Sequence, residues 1–190
     1  MTLYKLTATD GSPLHGGRGR WPLPKDGTPG HWRSVRGQLI ACEQGLHLLR
    51  RDNIVHWLHE GVLWEAEADM DGALIQPDKV VVRRARLLRQ AAVLDARTLR
   101  LFAADCAERV LPLFEARYPD DDRPRRAIET ARRYAEGQAT KVELRAAAAA
   151  AYAYAAAAAA YAYAAYAAAA YAERRWQTDH LALLLGLSDG

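Results

Sequence analysis

The sequence predicts an α+β protein: a small, β-rich mixed module over residues 1–90, followed by an α-helical domain over residues 91–190. Three observations carry this reading. Residues 1–90 hold short apolar runs separated by clusters of glycine, proline and aspartate, the pattern of strands joined by turns. From about Leu94 onward apolar residues recur every three or four positions, the pattern of helices. Within that second part, Ala146–Ala172 consists of 21 alanines and six tyrosines, and alanine is the strongest helix former.

In the first module Leu3–Thr9, Gly37–Cys42, Val62–Ala68 and Lys79–Leu87 read as strands. In Val62–Ala68 the residues Val62, Trp64, Ala66 and Ala68 alternate with Leu63, Glu65 and Glu67, the period of a strand. Lys79–Leu87 is β-branched at its start and follows the turn formers Pro77 and Asp78. The glycines and prolines between Gly11 and Gly30 break regular structure and predict a long loop. Asp52–Glu60 reads as a single short helix, with Asp52 as its cap, Ile54, Val55 and Leu58 on one face, and Gly61 ending it.

The helical part begins with Leu94–Arg117, where Phe102, Cys106, Val110, Leu113 and Phe114 share one face. Pro112 lies inside that pattern and should kink the helix or end it within a turn. After the break at Tyr118–Asp122, Arg123-Pro124 places a proline near the first position of a new helix, which runs to Ala135 and is closed by Gly137. Thr140 and Glu143 have the spacing of a capping box and announce an Ala/Tyr-rich helix over about 140–185. At 1.5 Å per residue that helix would be a rod of roughly 67 Å, so a bend or a hairpin inside the alanine tract stays open.

Composition excludes several classes. The 26 Lys+Arg nearly balance 23 Asp+Glu, with 13 basic and 10 acidic residues in 1–90 and 13 of each in 91–190. A polyanion binder concentrates its basic excess, so the balance argues against nucleic acid. The interleaved Arg18, Arg20, Trp21, Trp32, Arg33 and Arg36 keep single-strand binding as an alternative. Two distant cysteines, Cys42 and Cys106, supply neither a disulfide framework nor a tetrahedral zinc site, which points to a reducing cytoplasm. The first residues lack the charged and apolar blocks of a signal peptide. Alanine is close to neutral in a bilayer and six phenols are costly there, so the Ala/Tyr tract is expected as a soluble helix and no membrane association follows.

The stretch LFAADCAERVLPLFEARYPDDDRPRRAIETARRYAEG, then the capped helix opening into alanine repeats punctuated by aromatics, then ERRWQ, resembles the Imm5-like immunity proteins of bacterial and phage genomes. The matching positions include Ala107, Val110, Leu111, Tyr118–Arg126, Ala127, Ile128, Ala131, Tyr134, Gly137 and Gln177, and the resemblance covers residues 97–183. In such proteins arginine and tryptophan interrupt the alanine tract; here tyrosine takes every interruption. The first module resembles a small α+β module that precedes such helical domains, through Tyr4-Lys5, His15–Gly17, Trp21, Pro29–Trp32, Cys42 and Gly45–His47. That second resemblance implies an architecture and no activity.

Few residues suggest chemistry. His15 and His47 lie among small residues, and with Glu65 or Glu67 they admit an ADP-ribosyltransferase-like reading: a strand-borne histidine holding the nicotinamide-ribose of NAD and a glutamate acting on the scissile bond. The pattern is loose, so no catalytic set, no cofactor and no metal is expected. His56 and His59 share a helix face, yet no further ligand completes a metal set. Asp120, Asp121 and Asp122 precede a helix whose positive end they favour, and Arg123, Arg125 and Arg126 can neutralise them. The same turn, Asp120–Arg123, is also a candidate contact for a protein partner. On a helical wheel the tyrosines form two opposed stripes, one with Tyr152, Tyr163 and Tyr166, the other with Tyr154 and Tyr161. Tyrosine gives large contact area at low entropic cost, so the Tyr154/Tyr161 stripe is a candidate interface for a partner or for a second copy of the chain. The expected function is non-enzymatic protein binding. The resemblance implies an immunity-type protein that sequesters a partner such as a toxin.

Overall fold

In the computed structural model, which describes residues 2–158 and 166–187, the chain divides into two compact units. One joins the residues up to Asp95 with those from Thr178; the other is Ala96–Gln177. The architecture is α+β, as the sequence predicts.

The first unit is built on a sheet of seven strands among the described residues: β1 (Leu3–Thr7), β2 (Arg33–Ser34), β3 (Leu46–Arg50), β4 (Gly61–Asp69), β5 (Leu74–Ile75), β6 (Val80–Val82) and β7 (Arg84–Leu94). Their order is β2-β7-β4-β1-β3-β6-β5, with antiparallel pairing throughout. The alternation read in β4 decides its faces. Val62, Trp64 and Ala66 enter an apolar cluster with Leu3, Trp21, Leu46, Leu48, Val80, Val82 and Leu87. Glu65 and Glu67 stand opposite Arg89 and Arg86 of β7 and pair with them, the Arg86–Glu67 contact at 2.6 Å. Inside this layer the Trp64 indole N–H donates to the buried Thr7 hydroxyl at 3.0 Å. The sheet is buried on both sides at its centre, since Tyr4, Leu6 and Leu63 are as inaccessible as their neighbours Leu3 and Val62. The segment from Thr178 belongs to this unit and buries Leu181, Ala182 and Leu185, with Asp179 3.3 Å from Arg51.

Three local expectations change. Lys79–Leu87 is two strands rather than one: the chain bends at Arg83, so that β6 pairs with β3 while β7 pairs with β4 and β2. Gly37–Cys42 forms a turn bridged between Ile40 and Gln44, because Cys42 takes a left-handed backbone (φ 68°) that no strand allows; the strand starts at Leu46. The short helix predicted at Asp52–Glu60 is a 3-10 helix over Arg51–Trp57, held at its start by the buried Asn53, whose amide donates to Pro77 O at 2.8 Å.

The second unit holds α1 (Ala96–Glu115), α2 (Arg123–Ala135), α3 (Lys141–Ala158) and the first part of α4 (Tyr166–Leu184). α1 continues through Pro112 and ends within a turn of it, as expected. It buries Phe102, Ala104 and Leu111, whereas Val110 and Leu113 of the predicted apolar face are exposed. α2 has no fully buried residue and meets α1 through ion pairs. Arg132 contacts Asp105 and Glu108, each at 2.5 Å, and Arg125 grips both Glu115 oxygens at 2.8 Å. Arg109 ties α1 to α4, 2.8 Å from Glu173 and 4.5 Å above the Trp176 ring. The capping box forms as read: the Thr140 backbone N–H and hydroxyl both donate to Glu143, and the Glu143 N–H donates to Thr140 Oγ1 at 3.2 Å. Whether the alanine tract bends or folds back turns on residues 159–165, which lie outside the described residues.

Candidate functional site

In the first unit the strands β1 and β3 pair only at Leu3–Arg50 and Tyr4–Leu49, then separate. The gap between them is part of a cavity of about 230 Å³ lined by Lys5, His15, Cys42, His47, Trp57 and Lys79 together with glycines 16, 17 and 45. An adjoining opening of about 620 Å³ shares Lys5, Glu43 and His47 and adds Arg18, Trp21 and Arg33. Gly45 shapes the wall: its φ of 144° is one that side chains rarely adopt, and a Cβ there would lie 2.2 Å from Val81 Cγ1.

Lys5 reaches across the gap and donates to the His47 carbonyl at 3.0 Å, with its ammonium 5.5 Å from the Trp21 ring centre. Burial, helped by the nearby Arg33 charge, pulls its pKa down to about 8. His47 is held by its backbone neighbour, the Cys42 N–H donating to Nε2 at 3.0 Å. Burial and then the Lys5 and Lys79 charges lower its pKa, which favours the neutral imidazole. His15 sits 3.1 Å from the Trp57 carbonyl through Nε2 and packs edge-on against the Trp57 ring. Lys79 is buried, its ammonium 4.7 Å from the centre of the Trp57 ring and 3.0 Å from Asp78. Burial opposes its charge, but hydrogen bonds to Asp78 and Cys42 and the Asp78 charge outweigh that and raise its pKa.

The structure thus brings His15 and His47 into one cavity. It does not bring Glu65 there; that carboxylate is held by Arg89 on the sheet. Among the described residues no group of three or more His, Cys, Asp or Glu side chains could hold a metal ion. Lys5, Trp57 and Lys79 were not read from the sequence as site residues. A signal for Lys5 existed, since a lysine between Leu3, Tyr4 and Leu6 in a strand must either be paired or open onto a cavity.

In the second unit the Asp120–Arg123 turn is largely occupied with itself. Arg123 grips both Asp121 oxygens at 2.7 Å, and its backbone N–H donates to Asp121 Oδ1 at 3.1 Å. Hydrogen bonding from Arg123 accordingly lowers the Asp121 pKa. Asp122 occupies the position before α2 without a side-chain cap bond and pairs with Arg126 at 3.1 Å, while Asp120 is exposed. Cys106 is chemically quiet: burial and the Glu173 and Asp105 carboxylates push its thiol up to about 11. The Tyr154 side chain and the whole of Tyr161 lie outside the described residues. Among the described residues no helix is long and apolar enough to cross a membrane.

No curated protein and no solved structure matches the chain. Residues 89–175, the last strand residues of the sheet together with α1, α2, α3 and the start of α4, match the model of the family described as Imm-5 like putative immunity protein.

Proposed function

We propose that this chain is a non-enzymatic, immunity-type binding protein that sequesters a protein partner of the toxin class on the surface of its second unit. The observation that carries the reading is the family match, which falls on the helices of that unit rather than on the cavity of the first. The physical support is the character of those helices. No residue of α2 is fully buried, and two of its arginines, Arg125 and Arg132, are held by carboxylates of α1. A surface of fixed alternating charge loses little side-chain freedom on docking and selects its partner by complementarity. Asp120, Asp121, Asp122 and Arg123, with Tyr154 and Tyr161, are the proposed contact residues, and the tyrosine pair also serves self-association. A cytoplasmic setting in a bacterial or phage context accords with this role.

The test is capture of interacting proteins from a lysate with the tagged chain, beside a variant carrying Asp120→Lys and Asp122→Lys. One stoichiometric protein that survives high salt on the parent and is lost on the variant supports the proposal. Equal capture by both removes the turn from the interface, and the absence of any protein at low salt overturns the binding role. An NAD-using transferase in residues 1–90 remains the second reading, favoured by the meeting of His15 and His47 in one cavity. Turnover of NAD that disappears in His47→Ala would establish it.

A further inference from the structure

We infer that the cleft beside β1 in the first unit binds a small dianion of the phosphate class, a role separate from the protein-binding role of the helical unit. The inference starts from charge. The side chains lining the cavity and its opening include four cations, Lys5, Arg18, Arg33 and Lys79, against one carboxylate, Glu43. Asp78 already neutralises Lys79. Three cations less one carboxylate leave two uncompensated positive charges, the complement of a phosphate monoester near neutral pH.

Geometry places those charges together. The Lys5 ammonium and the Arg33 guanidinium stand 5.5 and 5.4 Å from the centre of the same Trp21 ring. Among the described residues no carboxylate pairs with either. An ammonium has three protons to donate, and Lys5 uses one, on the His47 carbonyl. Two partly buried cations around one indole repel each other, and an anion between them reverses the sign of that interaction. The glycines at positions 16 and 17 line both spaces without side chains, so an oxyanion can approach the backbone closely. The inner cavity of about 230 Å³ favours a compact group there, and the adjoining opening of about 620 Å³, which carries Arg18 and Arg33, leaves room for whatever that group is attached to. Charge separates the candidates further: a monocarboxylate leaves one cation unmatched, whereas a phosphate brings two charges on one compact centre, suited to a lysine point charge beside an arginine fork.

The test uses the full chain in a phosphate-free buffer, with thermal unfolding and calorimetric titration of inorganic phosphate against potassium chloride at matched ionic strength. The expected result is a saturable rise in Tm with phosphate alone, and a binding constant weakened roughly tenfold or more by Lys5→Met, the loss of a charge-assisted hydrogen bond. Arg33→Gln, which removes the other cation beside Trp21, is the second variant and should weaken phosphate severalfold, so the test stands even where Lys5→Met misfolds. Glycerol phosphate distinguishes the source: tighter binding than phosphate assigns a phosphorylated metabolite, weaker binding assigns the free ion, and both support the site. A response no greater than that to chloride, an equal response to succinate, or parent-like phosphate binding by both variants overturns the inference.

Discussion

Each of the two units has its own kind of internal packing. In the first, Leu48, Val80, Val82 and Leu87 are wholly inaccessible and sit in one apolar cluster. In the second, α2 has no fully buried residue and is fastened to α1 by Arg132 and Arg125 on Asp105, Glu108 and Glu115. Apolar burial is insensitive to ionic strength at moderate salt, while exposed ion pairs are screened within about 8–10 Å. The first unit therefore rests on apolar burial, while in the second ion pairs between α1 and α2 supplement the burial of Phe102, Ala104 and Leu111. The half that matches the immunity family is the one whose contacts salt can loosen.

The sharpest break in this contrast is Leu48→Ala. Deleting a fully buried leucine should cost about 2–5 kcal/mol, read as a lower denaturation midpoint, and the cost should be the same at low and at moderate sodium chloride. Lys5 comes next, through pH. Its folded pKa of about 8 lies below the usual 10.5, so across that window the unfolded chain holds a proton that the folded one has released, and stability rises with pH. The ceiling is about 3 kcal/mol, less for a side chain that retains some solvent, and Lys5→Met should flatten the rise in a phosphate-free titration. Arg132→Met should destabilise the helical unit by about 1 kcal/mol at low salt and by less at high salt, which double-mutant analysis with Asp105→Asn can assign to the pair. The smallest effect is expected of Thr140→Ala, which removes the hydroxyl of the capping box and should appear as fraying at the start of α3 in far-UV circular dichroism or amide exchange.

What the sequence reveals divides by range of interaction. The Thr140–Glu143 box, the restart at Arg123-Pro124 and the alternation of Val62, Trp64 and Ala66 are rules written within four residues, and each appears where it was read. The break at Arg83 is different. Nothing in KVVVRRARL marks the point where the chain leaves β3 for β4, because that choice is made by partners distant in sequence. The left-handed Cys42 likewise defeats a reading of GQLIAC as a strand, since residues other than glycine rarely adopt that backbone. Val110 and Leu113 show a third cause: a helical apolar stripe predicts burial only where another element packs over it, and these two positions stay exposed. At the cleft, His15 and His47 were legible as residues in glycine-rich surroundings. Their meeting with Lys5 and Lys79 was not, because strand divergence and two separate loops produce it.

Gly45 carries a consequence for how this molecule can vary. Its wall of the cleft is one hydrogen atom thick, and any larger substituent must displace Val81, which is itself fully enclosed. Glycines 16 and 17 are free of such obstruction: a Cβ at 16 meets nothing within 4 Å, and one at 17 makes only ordinary contact with Pro13. In a library of random variants screened for folded protein, position 45 should accept a single residue while 16 and 17 admit asparagine or aspartate at modest frequency. The cleft then has one genetically rigid wall facing a rim that can drift, so that diversification of whatever it holds would proceed from the side of the glycine pair.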